Sequence, residues 1–215
     1  MKSIPLICTP ILLMTLAVSA RANLITNGSF DQDGAFVPDI NQTHSMAVGS
    51  TLMPGWTVVQ DSIAWIVSTN PWNLTASDGD YFLDLTDYQN GAPFGGVMQS
   101  VSTITGAAYR LDFDLGSSSQ WGLPAALTAS VDGNSQVYQS TSAGVDQWQS
   151  YSLSFVAQDA LTDIAFIGSA GFNYIGLDNV QLTEVSPSGV PVPGGLLLMA
   201  AGMVVFRAKR MFEAA

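Results

Sequence analysis

The secondary structure of this chain is indicated most clearly by one stretch of seven residues, Tyr109-Arg110-Leu111-Asp112-Phe113-Asp114-Leu115. Apolar and charged side chains alternate at every position of this stretch. Because successive side chains of a β-strand point to opposite faces, a period of two places the apolar side chains on one face and the charged ones on the other. The stretch therefore predicts a strand with one face against a core, and it does not fit a helix.

Shorter segments of the same kind recur between residues 23 and 185, rich in Val, Ile, Tyr, Phe and Trp and separated by Gly, Ser, Asn and Asp. The sequence predicts strands at residues 23–30, 56–60, 63–67, 81–85, 97–101, 109–115, 127–131, 137–138, 151–155, 161–167 and 175–182, with a polar loop through Thr43 after the first. Asp132-Gly133-Asn134 indicates a hairpin. With no helical pattern between the strands, we expect an all-β sandwich of two antiparallel sheets, and a jelly roll is the favoured topology.

Residues 23–185 are enough for one domain with a two-layer core. The only cysteine of the chain, Cys8, precedes this region, so the domain must be stable without disulfides or a cysteine-bound metal. The region has 15 aspartates, one glutamate and a single basic residue, Arg110, which gives a formal charge of −15. Nucleic acid is excluded as a partner, because its phosphates require clustered Lys and Arg.

Residues 1–22 have the features of a secretory signal peptide. Lys2 precedes an apolar run at residues 4–18, and Ala20-Arg21-Ala22 provides small residues for cleavage. We therefore expect an N-terminal signal helix and a mature protein that begins at Asn23 and is exported across the inner membrane.

The C-terminal end predicts a linker followed by a transmembrane helix. Residues 186–195 are rich in Pro, Gly and Ser, which disfavour regular structure. Residues 196–206 carry no charge, and the basic residues Arg207, Lys209 and Arg210 complete the helical segment 196–210 ahead of a short tail at 211–215. The uncharged span from Val190 is near the lower limit of about 17 to 25 residues for a membrane-spanning helix, and the basic residues should face the cytoplasm.

A proline-containing motif, a short apolar helix and a basic cluster in this order resemble the PEP-CTERM tail, a sorting signal of Gram-negative bacteria that make extracellular polysaccharide. The same tail is also catalogued as an ice-binding-protein C-terminal domain. Its motif here is Val190-Pro191-Val192-Pro193, where the commonest form reads Val-Pro-Glu-Pro. The resemblance implies transient residence in the inner membrane, processing by an exosortase, and delivery to the cell surface or the exterior. An ordinary C-terminal membrane anchor is the alternative.

Three short motifs resemble the galactose-binding-like jelly rolls, and among them the DUF642 or choice-of-anchor proteins and certain carbohydrate-binding modules. They are Asn-Gly-Ser-Phe-Asp at 27–31, Trp56, and Gly-Leu-Asp-Asn-Val-Gln-Leu at 176–182. The resemblance implies a noncatalytic domain that binds glycans, often with one structural calcium between the first and last strands. It implies Asp31 and Asp178 as the carboxylate ligands of that calcium. The alternative is that these residues only bond to backbone amides in turns.

A sugar site would require aromatic rings to stack on pyranose C–H groups and a few polar side chains to orient hydroxyls. Trp65, Trp72, Tyr88 and Trp121 lie in or beside predicted loops and are the candidate ligand-binding residues. Trp and Tyr are also common core residues of sandwiches. Convergence of the three tryptophans on one exposed face would favour glycan binding, whereas burial of all three would favour a structural role.

The inventory for catalysis is small, and we do not expect an enzyme. The domain has one histidine, His44, and no cysteine or lysine. Asp78, Asp80, Asp84 and Asp87 could supply paired carboxylates for glycoside hydrolysis, but that use depends on their separation across a cleft. The sequence therefore favours an exported, noncatalytic surface or matrix protein that binds or organises extracellular polysaccharide. The alternative is a structural or adhesion protein of the extracellular matrix with no sugar site.

Overall fold

The computed structural model describes residues 22–32, 34–121, 124–140 and 147–185. Over these residues the chain forms eleven β-strands and no helix, and the strands pair into two antiparallel sheets. The prediction of an all-β, two-sheet protein is confirmed. The predicted signal helix, sorting motif and transmembrane helix lie outside the described residues. None of the described segments is a helix with the length and hydrophobicity that a membrane crossing requires.

The two sheets pack face to face around one core. The six-stranded sheet consists, in spatial order, of β1 (Thr43–Met46), β3 (Ile63–Val67), β4 (Tyr81–Asp84), β11 (Gly176–Val185), β6 (Ala108–Ser117) and β9 (Gln147–Val156). The five-stranded sheet consists of β2 (Thr57–Val59), β5 (Gly96–Ser102), β10 (Leu161–Ala170), β7 (Ala125–Val131) and β8 (Asn134–Ser140).

The last eight strands define the topology. They pair in the order β4-β11-β6-β9 in one sheet and β5-β10-β7-β8 in the other. Two Greek keys that share a sandwich of eight strands have this order, which is the jelly-roll arrangement. The first three strands extend the two sheets beside β4 and β5.

The alternating stretch that predicted the fold lies in β6, between β11 and β9. Its four apolar side chains, from Tyr109 to Leu115, are at most 1% exposed and lie in the core between the sheets. On the opposite face Arg110 is exposed, as the period predicts, but Asp114 is buried. The outer face of the six-stranded sheet is thus open to solvent at one end of β6 and covered at the other.

The predicted hairpin is present between β7 and β8. Val131 pairs with Asn134 across a two-residue turn. The turn residues Asp132 and Gly133 have φ angles of 48° and 78°. Positive φ at both positions matches the twist of the flanking strands, which explains why Asp-Gly was a reliable signal.

Residues 23–30 do not form the strand that the sequence predicted. The segment runs beside the end of β11, where the Leu24 amide donates to the Leu182 carbonyl. However, Asn27 and Phe30 have positive φ angles of 55° and 59°. Left-handed residues interrupt the pleat of a strand, so the segment is partly buried without regular pairing.

Strand β1 was not indicated by the sequence. It spans four residues at the edge of the six-stranded sheet and pairs with β3. Two of its residues, His44 and Ser45, are polar, and so short a segment shows no hydrophobic alternation. Its pairing with β3 is a tertiary contact that a local pattern could not reveal.

Candidate ligand-binding site

The outer face of the six-stranded sheet carries a second apolar cluster, separate from the core between the sheets. The buried members from the strands are Ala64, Ile66 and Phe82, which lie one position out of phase with the core residues of β3 and β4. Residues 68–80, here called the cover loop, lie over this face and contribute Leu74. A jelly-roll face that is covered in this way can hold a pocket between the sheet and its loops.

The side chain of Asn70 fixes the shape of the cover loop. Its amide group donates to the carbonyls of Val67 at 2.8 Å and Leu74 at 2.6 Å. Its oxygen accepts from the backbone amides of Trp72 and Leu74. The indole N–H of Trp148, on β9, donates to the Thr75 carbonyl at 2.9 Å. These bonds hold Trp72 in place on the sheet.

Asp31 and Asp178 hold the other end of the loop region. Asp31 accepts from the amides of Asp80 and Tyr81 at 2.8 and 3.0 Å. Asp178 accepts from the amides of Ser77 and Asp78 at 2.7 and 2.9 Å. The two predicted calcium ligands therefore meet the same loop from two sides, and both accept from backbone N–H groups.

Burial, with a smaller contribution from the nearby charge of Asp78, raises the pKa of Asp178 to about 8, although the backbone hydrogen bonds act to lower it. Calcium prefers carboxylate and carbonyl oxygens, so the donor type of Asp31 and Asp178 fits the ion. Within the described ranges, no three His, Cys, Asp or Glu side chains are close enough to hold a metal together. The remaining ligands would have to come from backbone carbonyls, and the calcium site stays a prediction.

A pocket of about 260 Å³ opens at the edge of the cover loop, and we call it the Trp72 pocket. It is lined by Ile66, Trp72, Leu74, Asp84, Tyr88, Trp121, Asn173 and Tyr174. The rings of Trp72 and Tyr88 have centroids 5.4 Å apart and planes inclined by 44°, so they form an angled wall.

Tyr88 is positioned by a strained turn. Asp87 and Tyr88 have φ angles of 46° and 66°, a region that bulky residues rarely adopt. The Tyr88 amide donates to the side chains of Thr86 and Asp84 at 3.1 and 3.3 Å, and these bonds hold the turn. The Tyr88 side chain is 39% exposed. Strain of this kind is often retained where it orients a functional side chain.

Asp84, the last residue of β4, is the charged side chain among the residues that line the pocket. It is fully buried and accepts from the amides of Thr86 at 2.9 Å and Ile175 at 3.0 Å and from the Thr86 hydroxyl. Burial raises the pKa of Asp84 to about 6, although these hydrogen bonds act to lower it. A buried carboxyl group with a raised pKa therefore lies among the residues that line an aromatic pocket.

Trp121 lines the pocket and has a buried hydrogen-bond donor. Its side chain is half-buried, and its indole N–H is buried without a hydrogen-bond partner in the described part of the protein. Buried polar groups are paired in most proteins. An acceptor on a bound ligand would satisfy this group.

Three of the four predicted ligand-binding aromatics, Trp72, Tyr88 and Trp121, meet in the Trp72 pocket. The prediction for Trp65 is wrong. Trp65 is fully buried in β3, packs against Phe36 in the inner core, and donates its indole N–H to the Phe30 carbonyl at 3.2 Å. The alternation in β3 turns it away from the face that holds the pocket.

The acidic residues that the sequence offered for glycoside hydrolysis have separate roles. Of these four aspartates, only Asp84 lines the Trp72 pocket in the part of the chain that the structure describes. Asp78 and Asp80 are exposed, and Asp87 accepts from the Ser45 hydroxyl at 2.8 Å. His44 accepts the Val37 amide through Nδ1 at 3.1 Å and is also outside the pocket.

Sequence reasoning missed Asn173 and Tyr174 as pocket residues and did not assign Asp84 to it. Asn173 has a positive φ of 61°, and its backbone N–H donates to the Gln89 carbonyl at 3.0 Å. This bond brings the loop before β11 to the turn that carries Tyr88. No local pattern marks such a contact, because it joins segments far apart in the chain.

Solved structures with a similar fold include a carbohydrate-binding module of family 61 in complex with β-1,4-galactotriose (17% identity, 76% of this chain and 99% of that chain, TM-score 0.46). The K1 cleaved adhesin domain of Lys-gingipain from Porphyromonas gingivalis W83 is 9% identical over 67% of this chain and 99% of that chain, with a TM-score of 0.49. A family 35 carbohydrate-binding module from Clostridium thermocellum is 14% identical over 65% of this chain and 97% of that chain, with a TM-score of 0.42. At these identities the similarity concerns the fold alone.

No curated protein matches the chain in sequence. The sequence model of the DUF642 family, described as a protein of unknown function, matches residues 23–173. This range covers most of the chain and includes the first two motifs that carried the resemblance. The chain therefore belongs to the DUF642 family.

Proposed function

We propose that this protein is a noncatalytic carbohydrate-binding protein and that the Trp72 pocket is its sugar site. The observation that carries the proposal is the convergence of Trp72, Tyr88 and Trp121, from three separate loops, around one concave opening. Aromatic rings stack on the C–H faces of sugar rings, and a few polar groups orient the hydroxyls. The assignment to the galactose-binding-like group of jelly rolls is part of this proposal.

The polar groups of the pocket suit hydroxyl recognition. The indole N–H of Trp121 is a donor that has no partner among the described residues. Asn173 adds an amide with both donor and acceptor capacity. A sugar hydroxyl both donates and accepts, so it could satisfy either group.

The test is affinity electrophoresis in native gels that contain polysaccharides, including the exopolysaccharide of the host, followed by calorimetric titration of any glycan that retards the protein. We expect Trp72→Ala and Trp121→Ala to weaken binding by about 10-fold or more, since each removes a stacking face. Phe155→Ala is the matched control, because Phe155 is also a half-buried aromatic but stacks on Tyr109 in another part of the molecule.

Equal mobility of the protein over the whole glycan panel would remove the proposal. The remaining interpretation would then be a structural or adhesion protein of the extracellular matrix. Hydrolysis of a polysaccharide by the wild type that disappears in Asp80→Asn would instead support a glycoside hydrolase.

The proposal includes export and sorting. A leader at residues 1–22, a domain at 23–185 and the PEP-CTERM-like tail support delivery to the cell surface or the exterior by an exosortase-type enzyme, with the inner membrane as a transient location. Mass spectrometry of the protein recovered from the surface and the medium should give termini near Asn23 and near the motif that starts at Val190. Full-length protein in the cytosol would contradict this.

The proposal also includes one structural calcium at Asp31 and Asp178. Asp31 and Asp178 both bond to the same loop region, and Asp178 is buried with a raised pKa, so a bound cation would stabilise its ionised form. Calcium chloride should raise the melting temperature relative to EDTA in the wild type but not in Asp178→Asn. Asp163→Asn, which removes an exposed charge from β10, should keep the response. An identical melting temperature of the wild type with calcium and with EDTA would exclude the site.

A further inference from the structure

The Trp72 pocket has a charge balance that restricts the sugars it can bind. Asp84 is the one acidic side chain among the lining residues that the structure describes, and the others are neutral aromatic, aliphatic or amide side chains. The basic side chains in the described part of the chain are Arg110 and His44. Arg110 Nε pairs with Asp112 Oδ1 at 2.7 Å on β6, and neither basic residue lines the pocket.

An acidic sugar is a poor ligand for such a site. A uronate or sulfate group would approach the Asp84 carboxylate without a cation in the pocket to pair with it, and like charges at close range are strongly unfavourable. The domain as a whole carries a formal charge of −15, which repels polyanions at longer range as well.

A cationic group, by contrast, meets two favourable features. The walls include the rings of Trp72, Tyr88, Trp121 and Tyr174, and the negative face of an aromatic ring attracts ammonium groups. Asp84 is the acidic lining residue and is fully buried, so its ionised form attracts a cation in the pocket through space rather than through a direct hydrogen bond.

We propose that the sugar bound in the Trp72 pocket carries a protonated amino group, so that the ligand is an amino-sugar glycan. This inference rests on the proposed sugar-binding function and specifies the substrate class of the same site. The ammonium group lies against the aromatic walls, within the electrostatic field of the buried Asp84. A cationic ligand also favours the ionised form of Asp84.

The experiment compares β-1,4-linked oligosaccharides of equal length built from glucosamine, N-acetylglucosamine and glucose with an α-1,4-linked oligomer of galacturonic acid, each titrated calorimetrically into the full protein at neutral pH. The first three differ only in the group at C2, which is an amine, an acetamide or a hydroxyl. We expect the glucosamine oligomer to bind at least about 10-fold more tightly than the two neutral ones, and the galacturonic acid oligomer not to bind.

Two variants separate pocket recognition from general attraction to an acidic surface. Asp84→Asn should reduce the preference for the amine over the acetamide and hydroxyl oligomers to less than about 3-fold, whatever its effect on the affinity for the neutral oligomers. Asp163→Asn removes the same charge from an exposed position on β10 in the other sheet and should leave the preference unchanged. If Asp84→Asn does not fold, the ratio of the wild-type affinities for the glucosamine and N-acetylglucosamine oligomers tests the inference instead.

The outcomes distinguish the two proposals. Binding of any neutral glycan with equal or weaker binding of the glucosamine oligomer overturns the amino-sugar inference and leaves the sugar-binding function intact. A preference for the amine that persists in Asp84→Asn and Trp121→Ala assigns it to the acidic surface and also overturns the inference. Absence of binding to every glycan tested overturns both.

Discussion

Trp65 and Trp72 are close in sequence but lie on opposite sides of the six-stranded sheet. Trp65 is fully buried in the inner core, whereas Trp72 is half-buried beside the pocket. The same residue type therefore has two roles, set by the face on which the chain places it. At the scale of single residues, the burial of a side chain and its hydrogen-bond partners decide its role more than its residue type does.

Trp65→Ala should destabilise the protein by about 3–5 kcal/mol, because it removes a large buried side chain and leaves a cavity. Trp72→Ala should have a clearly smaller effect, since its ring is partly solvated already. Chemical denaturation followed by circular dichroism measures both. Equal losses in the two variants would show that the sheet does not separate a core from a binding face as described.

Asp84 predicts a pH dependence of stability. Burial raises its pKa to about 6, above the ordinary value of 3.8 for an aspartate. The folded state then binds the proton more tightly than the unfolded state. The stability that this binding provides is therefore fully present below the pKa of Asp84 in the unfolded chain, and it is lost as the pH rises through about 6. A pKa shift of this size corresponds to about 3 kcal/mol of unfolding free energy.

Relative to Asp84→Asn, the wild type should therefore lose about 3 kcal/mol of unfolding free energy between about pH 4 and pH 7. Denaturation curves of both proteins at several pH values give this difference directly. Asp163→Asn serves as the control, since it removes an exposed carboxyl group. Parallel pH profiles of the wild type and Asp84→Asn would contradict the prediction.

At the scale of elements, the sequence predicted the long strands well and the irregular edge poorly. Strand β6 and the β7–β8 hairpin have strong local signals, namely alternation and an Asp-Gly turn. Residues 23–30 were predicted as a strand but are irregular, because they contact β11 through isolated backbone hydrogen bonds and include the positive-φ residues Asn27 and Phe30. Their conformation follows from close packing against a neighbour rather than from propensity.

Gly28 is the position where this packing is tightest. Its carbonyl accepts from the Val180 amide, and a Cβ atom on Gly28 would lie 1.9 Å from the Val180 carbonyl oxygen. Gly28→Ala should therefore destabilise the protein by about 2 kcal/mol or more, because backbone must move. Gly34→Ala is the matched control, since a Cβ there meets no atom within 4 Å.

Thermal denaturation of the two glycine variants measures the effect. The control should change the unfolding free energy by no more than about 0.5 kcal/mol. A Gly28→Ala protein as stable as the control would show that residues 23–30 are not packed against β11 in solution.

At the scale of the whole molecule, the large negative charge is the dominant property. The domain carries a formal charge of −15 with one arginine. Self-repulsion of this size destabilises a compact state, and salt screens it over a Debye length of about 10 Å at 0.1 M ionic strength. The melting temperature should therefore rise by several degrees between about 0.02 and 0.2 M sodium chloride.

Potassium chloride at the same ionic strength should produce a similar rise, because the screening of exposed charges depends on ionic strength and not on which monovalent cation is present. A melting temperature that does not change with either salt would mean that the acidic side chains are too widely spaced to repel one another appreciably. Differential scanning calorimetry in the absence of calcium separates this effect from the calcium response.

The sequence by itself determined the fold class, because the alternation in β6 and the turn residues are local consequences of burial and backbone geometry. It also determined the sign of the charge and supplied three of the pocket aromatics as candidates. Only the tertiary structure decided that Trp72, Tyr88 and Trp121 meet around Asp84 while Trp65 turns inward. That outcome depends on contacts between segments far apart in the chain, and such contacts leave no periodic trace in the residues that make them.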